Sequence, residues 1–214
     1  MMEPYKPETE LALKGTTTVS VLCKDGVVLA TDTRVTMGTF IAHKRGKKVY
    51  PIDNHIAMTI AGGVADAQNV VEVLKANAVL YRIGNKRPMP IGAAARLTAN
   101  ILFANRWLPL ALQAILAGID GEGSHIFALD PFGSVTEEKK FFATGSGSPI
   151  AFGILEDGYR ENMSLREALP LVVRAVSTAM KRDAASGDSF DVAVITGDGY
   201  RELSEGEKLQ LLGA

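Results

Sequence analysis

The sequence is poor in the residues that build disulfide frameworks and metal sites. It holds one cysteine, Cys23, which cannot form an internal disulfide and fits a protein of the reducing cytoplasm. The three histidines, His43, His55 and His125, lie far apart and follow neither the H-E-x-x-H nor the paired-cysteine spacing of zinc sites. We therefore expect a cytoplasmic protein that uses no metal and no other cofactor.

An excess of one charge and long apolar runs are lacking as well. Lys and Arg total 23 against 24 Asp and Glu, which leaves a net charge of −1 and no basic excess to attract nucleic acid or an anionic membrane. The longest apolar run, near residues 107–119, is too short to span a bilayer and is interrupted by Pro109. We expect neither nucleic acid nor a membrane among the partners.

What is present is the composition of a globular protein of one-domain length. The chain has 214 residues, 47% of them hydrophobic and 22% charged, and no Pro, Gly or Ser-rich linker divides it. Such a chain can bury a large core in a single domain. The first 15 residues, MMEPYKPETELALKG, are acidic, broken by prolines and without the apolar core of a signal peptide. They are expected to form a poorly ordered leader.

The spacing of apolar residues in the first half predicts strands followed by two helices. β-Branched runs around the Asp25-Gly26 turn predict a hairpin, and a second extended segment with a turn at residues 45–46 follows. The period then becomes helical, with a helix ending at Gly84 and a second one running from Pro90, at its first position, to Trp107. The first helix has one apolar stripe, made of Val70, Val73, Leu74, Asn77 and Leu80.

The second half repeats this order. Strands are predicted within residues 111–145, helices at 148–159 and 164–180, and a closing hairpin that turns at 197–199. Ser164 and Glu167 form a capping-box pair for the last helix, which we expect to bend near Pro170. Grouped strands alternating with grouped helices predict antiparallel sheets covered by helical layers.

Three consecutive threonines follow Gly15 in the stretch GTTTVSV. A threonine hydroxyl is a poor nucleophile unless a base takes its proton, and a threonine at a chain terminus carries such a base in its own α-amine. Cleavage of the Gly15–Thr16 bond would create that terminus, and glycine leaves the carbonyl open to attack. The same residues also form good strand sequence, so from the residues alone both interpretations stay open.

Six blocks of the sequence, in order and at similar spacing, resemble a proteasome β subunit of the archaeal single-type kind. The resemblance covers about residues 16–200 and implies a hydrolase with an N-terminal nucleophile. The implied fold is α+β, a four-layer αββα sandwich with two stacked antiparallel sheets between helical layers. The blocks are GTTTVSV, ATDTRVTMG, HKRGKKVY, MTIAGGVADAQ, TGSGSP and KRDAASGDSFDVAVIT.

The resemblance also implies roles for individual residues. Thr16 corresponds to the nucleophile, and Lys48 and Asp32 correspond to the lysine and acid beside it. Gly62 corresponds to the donor to the oxyanion, and together with Thr36 it would pair with the substrate backbone. The group that holds the threonine amine and relays protons corresponds to Ser146, Asp183 and Ser186, with Gly187 in the same turn.

The implied specificity pocket is mostly neutral and apolar, and it contains no acid that would attract Lys or Arg. We expect cleavage after large hydrophobic residues in unfolded polypeptides. Residues 1–15 would be a propeptide removed by autocatalytic processing, and residues 16–214 one catalytic domain. The pocket positions are Val35, Gly46, Tyr50, Ile60, Val64 and Gln68.

The expected partners, again by resemblance, are homo-oligomeric β rings stacked with α-subunit rings and an ATPase regulatory complex. Other hypotheses are a non-catalytic ring subunit of the same fold, the related bacterial two-ring peptidase and a stand-alone amidase. A non-catalytic subunit would typically lack the threonine, the lysine or the acid, and all three are present here as Thr16, Lys48 and Asp32. The RDAASG block favours the proteasome type over the bacterial peptidase.

Overall fold

The structure, a computed structural model, describes residues 15–212, so residues 1–14 of the expected leader lie outside it. The helices are α1 (Val64–Asn85), α2 (Ile91–Ala104), α3 (Ser148–Gly158), α4 (Leu165–Met180) and α5 (Glu205–Leu212). The strands are β1 (Thr18–Cys23), β2 (Gly26–Asp32), β3 (Val35–Met37), β4 (Phe40–His43), β5 (Val49–Asp53), β6 (Ile56–Gly62), β7 (Leu112–Asp120), β8 (Gly123–Leu129), β9 (Val135–Glu138), β10 (Phe141–Thr144), β11 (Phe190–Thr196) and β12 (Gly199–Glu202).

Two five-stranded sheets carry the architecture. One has the order β10-β1-β2-β11-β12, the other β5-β6-β7-β8-β9, and every pair of neighbours is antiparallel. A short β3-β4 hairpin stands apart from both sheets. None of the helices described is both long and apolar enough to cross a membrane.

Alternating side chains of the strands divide the core into three regions. On one face of the first sheet, Val19, Val21 and Cys23 of β1 pack against α3 and α4. On its other face, Val27 and Leu29 of β2 lie between the two sheets. The second sheet packs its other face on α1 and α2. The layers therefore run helices, sheet, sheet, helices, which confirms the predicted four-layer αββα sandwich.

The helix boundaries differ from the prediction in α1 and α2. The predicted stripe of α1 is partly wrong, since Leu80 is 65% exposed and the buried face is centred on Val70 and Leu74. Apolar residues also flank the buried face of α1, so the sequence pattern alone does not locate its centre. The helix passes Gly84 and ends at Asn85, with Lys86 in the left-handed conformation.

Helix α2 starts one residue later than predicted and stops three residues sooner. Pro90 is the N-cap, and the Asp120 carboxylate accepts a hydrogen bond from Ile91 N at 2.9 Å. Asp120 ends β7, so a residue of another element fixes where α2 begins. The capping box of Ser164 and Glu167 is confirmed, and α4 continues through Pro170 as one helix. The hairpin at Gly38, strand β9 and helix α5 were not predicted.

Candidate active site

Thr16 lies just before β1 and is 3% exposed. Its hydroxyl donates a hydrogen bond to the carbonyl oxygen of Gly15 at 2.6 Å, and its backbone N–H faces the Ser146 hydroxyl at 3.3 Å. Strand β1 begins two residues later, at Thr18. Thr16 therefore stands free of the ladder, with its hydroxyl beside the bond that precedes it.

A buried ion pair lies beneath Thr16. Lys48 Nζ is 2.8 Å from Asp32 Oδ1, and these side chains are 6% and 0% exposed. Asp32 ends β2 and Lys48 immediately precedes β5, so each sheet supplies one partner. The same Asp32 oxygen accepts Thr17 N–H at 2.9 Å, which joins the ion pair directly to the segment that carries Thr16.

The environment favours a lysine that gives up its proton readily. Burial lowers the pKa of Lys48, while the Asp32 carboxylate opposes that shift. Burial raises the pKa of Asp32, and the Lys48 ammonium and backbone N–H donors counter it. Asp32 accepts hydrogen bonds from three backbone N–H groups, of Thr17, Arg34 and Gly187, besides the Lys48 bond. These four donors stabilise the ionised form of the Asp32 carboxylate against the effect of its burial.

A second polar group lies on the other side of Thr16. Asp183 Oδ2 accepts hydrogen bonds from the hydroxyls of Ser146 and Ser186, each at 2.6 Å. Asp183 follows α4, and its backbone N–H still donates to Ala179 O at 2.8 Å, so the helix end fixes its position. The Ser146 hydroxyl thereby connects the Asp183 carboxylate with the nitrogen of Thr16.

Thr17 belongs to the site although the sequence analysis treated it as a strand residue. Its hydroxyl lies 2.8 Å from the Ser186 hydroxyl, and its N–H donates to Asp32. Thr17 therefore bridges the Lys48–Asp32 pair and the Asp183 group. The run of three threonines was the only signal for it, and strand propensity explained that run equally well.

Three glycines lie at positions of the site where a side chain would not fit. Gly62 has a φ of +129°, and a Cβ there would lie 2.0 Å from Ala111 O. At Gly147 a Cβ would lie 2.0 Å from the Thr17 hydroxyl. At Gly15 it would lie 1.6 Å from Ala185 Cβ, so the residue before Thr16 is confined by the loop that carries Asp183.

A cavity of about 280 Å³ opens beside Thr16, Lys48 and Gly62. Thr36, 5% exposed on β3, also lines it. Its wall is partly cationic, a feature that the sequence analysis did not predict. The wall includes all six expected pocket positions, Val35, Gly46, Tyr50, Ile60, Val64 and Gln68, together with Arg34, His43, Arg45 and Lys47.

The structure thus brings every predicted site residue into one cluster around Thr16 and its cavity. Across residues 15–212, no three His, Cys, Asp or Glu side chains are arranged to hold a metal ion. What the arrangement supplies is a hydroxyl, an amine of lowered pKa and two hydrogen-bonded carboxylates. These are the components for activating a hydroxyl and moving its proton.

Known proteins resemble this chain over most of its length. A family model described as Proteasome subunit matches residues 12–195. The chain is 50% identical to the proteasome subunit beta of Methanothermobacter thermautotrophicus over 91% of this chain and 93% of that relative. It is 49% identical to the proteasome subunit beta of Methanosarcina barkeri over 91% and 92%. It is 48% identical to that of Archaeoglobus fulgidus over 95% of each chain.

Proposed function

The chain belongs to the proteasome subunit family, in which it is a β subunit with a peptidase role, and we propose that Thr16, freed from Gly15, is its nucleophile. The observation that carries the proposal is the position of Thr16 between the Lys48–Asp32 pair and the Ser146–Asp183 pair. The enzyme is then a threonine endopeptidase of unfolded polypeptides.

The first reaction of the site is on its own chain. Thr16 Oγ attacks the Gly15 carbonyl carbon, the Gly15–Thr16 C–N bond breaks, and the leader moves to Oγ as an ester. The proton of the hydroxyl goes to the departing nitrogen, and water then hydrolyses the ester. The contact of 2.6 Å between the Thr16 hydroxyl and Gly15 O supports this step. It makes residues 1–15 a propeptide and residues 16–214 the catalytic domain.

The second reaction uses the α-amine that the first one creates. Ser146 and Asp183 are positioned to hold this amine, because the Ser146 hydroxyl already lies 3.3 Å from Thr16 N. The amine and Lys48 share the task of taking the Thr16 proton, and Asp32 orients Lys48. Thr16 Oγ then attacks the scissile carbonyl of a substrate, forms an acyl ester and releases the new amine terminus. Water completes the cycle.

Substrate binding follows from the cavity walls. Gly62 supplies a backbone N–H to the oxyanion, and Thr36 and Gly62 pair with the extended substrate backbone. The apolar walls formed by Val35, Ile60 and Val64 accept a large hydrophobic side chain. The subunits assemble into homo-oligomeric β rings stacked with α-subunit rings in the cytoplasm, and an ATPase complex delivers unfolded chains.

Substitution of Thr16 separates this function from a purely structural ring subunit. Thr16→Ala should leave residues 1–15 attached and abolish peptidase activity, because the attacking oxygen is gone. Thr16→Ser keeps a hydroxyl and should be processed and active at a reduced rate. The control is Thr136→Ala, at an exposed position of β9, the edge of its sheet opposite β5. Mass spectrometry and peptide hydrolysis of particles co-assembled with α subunits provide the measurements. A processed, active Thr16→Ala particle rules the proposal out.

A further inference from the structure

Arg34 joins the end of β2 to the loop of residues 183–188. Its backbone N–H donates to Asp32 Oδ2 at 3.0 Å, directly beside the Lys48–Asp32 pair. Its guanidinium reaches the loop twice, with Nε 2.8 Å from Asp188 Oδ2 and Nη1 2.8 Å from Ala184 O. One residue thus contacts both halves of the catalytic cluster.

The loop is shaped to fit the guanidinium. A Cβ at Gly187 would lie 2.4 Å from Arg34 Nη2, so the guanidinium rests directly against the Gly187 backbone. Asp188 has a φ of +66°, a conformation that costs free energy for a residue other than glycine. In that conformation its carboxylate accepts the bond from Arg34 Nε. These side chains are 21% and 18% exposed, so the bond is partly shielded from water.

Three catalytic contacts depend on where this loop lies. Asp183 and Ser186 belong to it, and Gly187 N–H donates to Asp32 Oδ2 at 3.0 Å. A shift of the loop would therefore disturb the Ser146–Asp183 contact and remove one of the donors that orient Asp32. We propose that Arg34 is a positioning residue for the peptidase reaction, holding the loop of residues 183–188 against the Lys48–Asp32 pair. This inference rests on the proposed function.

Arg34 differs from an ordinary structural ion pair in two respects. Its two side-chain bonds leave from different nitrogens, Nε to Asp188 and Nη1 to Ala184, and the planar guanidinium fixes both directions. A lysine ammonium would have to reach both acceptors from a single nitrogen. Its positive charge also contributes to lowering the pKa of Lys48, against the opposing effects of Asp32 and Asp183. Position and charge can therefore be separated by substitution.

The experiment compares four single variants and one double variant of the particle assembled with α subunits. Arg34→Gln removes the charge and the fork, Arg34→Lys keeps only the charge, and Asp188→Asn weakens the loop side of the bond. The matched control is Arg82→Gln, which breaks another Arg–Asp contact, the 2.7 Å pair of Arg82 with Asp53 on the far side of the second sheet. Each variant is assayed for kcat, KM and the pH profile of kcat/KM, with the melting temperature measured alongside.

Both Arg34 variants should lower kcat by roughly 10- to 100-fold while KM changes about twofold at most, since misplaced catalytic groups slow chemistry more than binding. Only Arg34→Gln should also move the acid limb of the pH profile to higher pH. Without the positive charge of Arg34 a protonated amine is less disfavoured, so its pKa rises, and deprotonation requires higher pH. Asp188→Asn should lower kcat less, and combining it with Arg34→Gln should add nothing further.

The proposal is overturned if Arg34→Lys or Asp188→Asn keeps the full kcat, or if Arg82→Gln lowers kcat as much as Arg34→Gln does. Should Arg34→Gln fail to assemble, Asp188→Asn and Arg34→Lys still decide the matter. A failure of the proposed function can be told apart from a failure of the Arg34 proposal, because it would show itself as peptidase activity in Thr16→Ala. In that case the Arg34 variants would still be compared with the parent by their peptidase activity.

Discussion

At the scale of single residues, the chemistry depends on groups that the fold buries together. The Asp32 side chain is fully buried and that of Lys48 is 6% exposed, so both charged groups are almost completely removed from water. Each buried charge needs the other as its partner, because an unpaired buried charge is strongly destabilising. The pair is therefore a structural requirement, and the proposed function makes it a catalytic one as well.

Replacing Lys48 tests the catalytic part of that requirement. Lys48→Ala should reduce peptide hydrolysis per assembled particle by at least about 100-fold, because the Thr16 hydroxyl loses a proton acceptor. Stability should fall by about 3 kcal/mol, since Asp32 keeps its place without a cation. Activity is measured on particles isolated by size, so that lost assembly is not counted as lost chemistry.

Lys139→Ala is the control for this change, because Lys139 makes an ion pair with Glu137 but its side chain is 74% exposed. That variant should match the parent in both activity and melting temperature. Unchanged hydrolysis in Lys48→Ala would assign the proton acceptor to another group.

Residues whose role depends on a motif could be predicted from the sequence, and residues whose role depends on a contact could not. Thr16, Asp32 and Lys48 stand in blocks that resemble a family, so their meeting was expected. Arg34 and Thr17 are bonded to a loop that lies 150 and 169 residues further along the chain, and nothing in their local sequence indicates those bonds.

At the scale of secondary-structure elements, capping boxes fix the starts of α4 and α5. In α5, which the sequence analysis missed, Ser204 N–H and its hydroxyl each donate to Glu207 Oε2 at 2.8 Å. Arg201 adds a bond of 2.7 Å to the other carboxylate oxygen. These bonds lower the pKa of Glu207 to about 2 from the ordinary 4.5. The helix is short and has little amphipathic pattern, which is why periodicity did not reveal it.

The depressed pKa makes the contribution of α5 depend on pH. A group whose folded pKa lies below its unfolded pKa stabilises fully above the unfolded value, and that stabilisation is lost as pH falls through the folded value. Glu207→Gln should therefore lower the melting temperature near neutral pH, and the gap from the parent should shrink between about pH 4.5 and 2. Thermal melts of the purified subunit across that range measure it.

Glu156→Gln provides the comparison, because Glu156 is exposed on α3 and accepts no hydrogen bond from the residues that the structure describes. Its melting temperature should follow that of the parent at every pH. A gap for Glu207→Gln that stays constant down to pH 2 would show that the stabilisation does not come from the ionised carboxylate.

Element types were easier to predict than element ends. The β-branched runs and the capping box of α4 gave the correct types, because local sequence determines them. The start of α2 depends on Asp120, 29 residues from Ile91, and the end of α1 lies past the glycine that the pattern suggested. Contacts between elements set these ends, and single-sequence patterns do not contain such contacts.

At the scale of the whole molecule, the two sheets meet so that one end of the sandwich carries the cavity and Thr16. The layer order could be predicted from grouped strands and helices. The cationic part of the cavity wall could not, because Arg34, Arg45 and Lys47 come from segments whose meeting depends on the turn at residues 44–47. That turn is pinned to Thr33 by bonds of 2.7 Å from Gly46 N and 2.8 Å to Lys44 O.

The mixed wall sets an order of substrate preference. Peptides with a large hydrophobic residue before the cleaved bond should be hydrolysed fastest, because the apolar walls bury that side chain. Peptides with Lys or Arg at that position should be slowest, since the cations around the cavity repel them. Fluorogenic peptides that differ only at this position, assayed on assembled particles, give kcat/KM for each. Faster hydrolysis of basic or acidic peptides than of hydrophobic ones would contradict this assignment of the pocket.

The central claim is that the chain becomes an enzyme when Thr16 becomes its first residue. The most direct test is the mass of the β subunit taken from active particles assembled with α subunits. We expect a chain that has lost residues 1–15 and begins at Thr16, and we expect the full-length mass in the Thr16→Ala particle. An active particle whose β subunits all retain residues 1–15, or begin at another residue, would contradict the account.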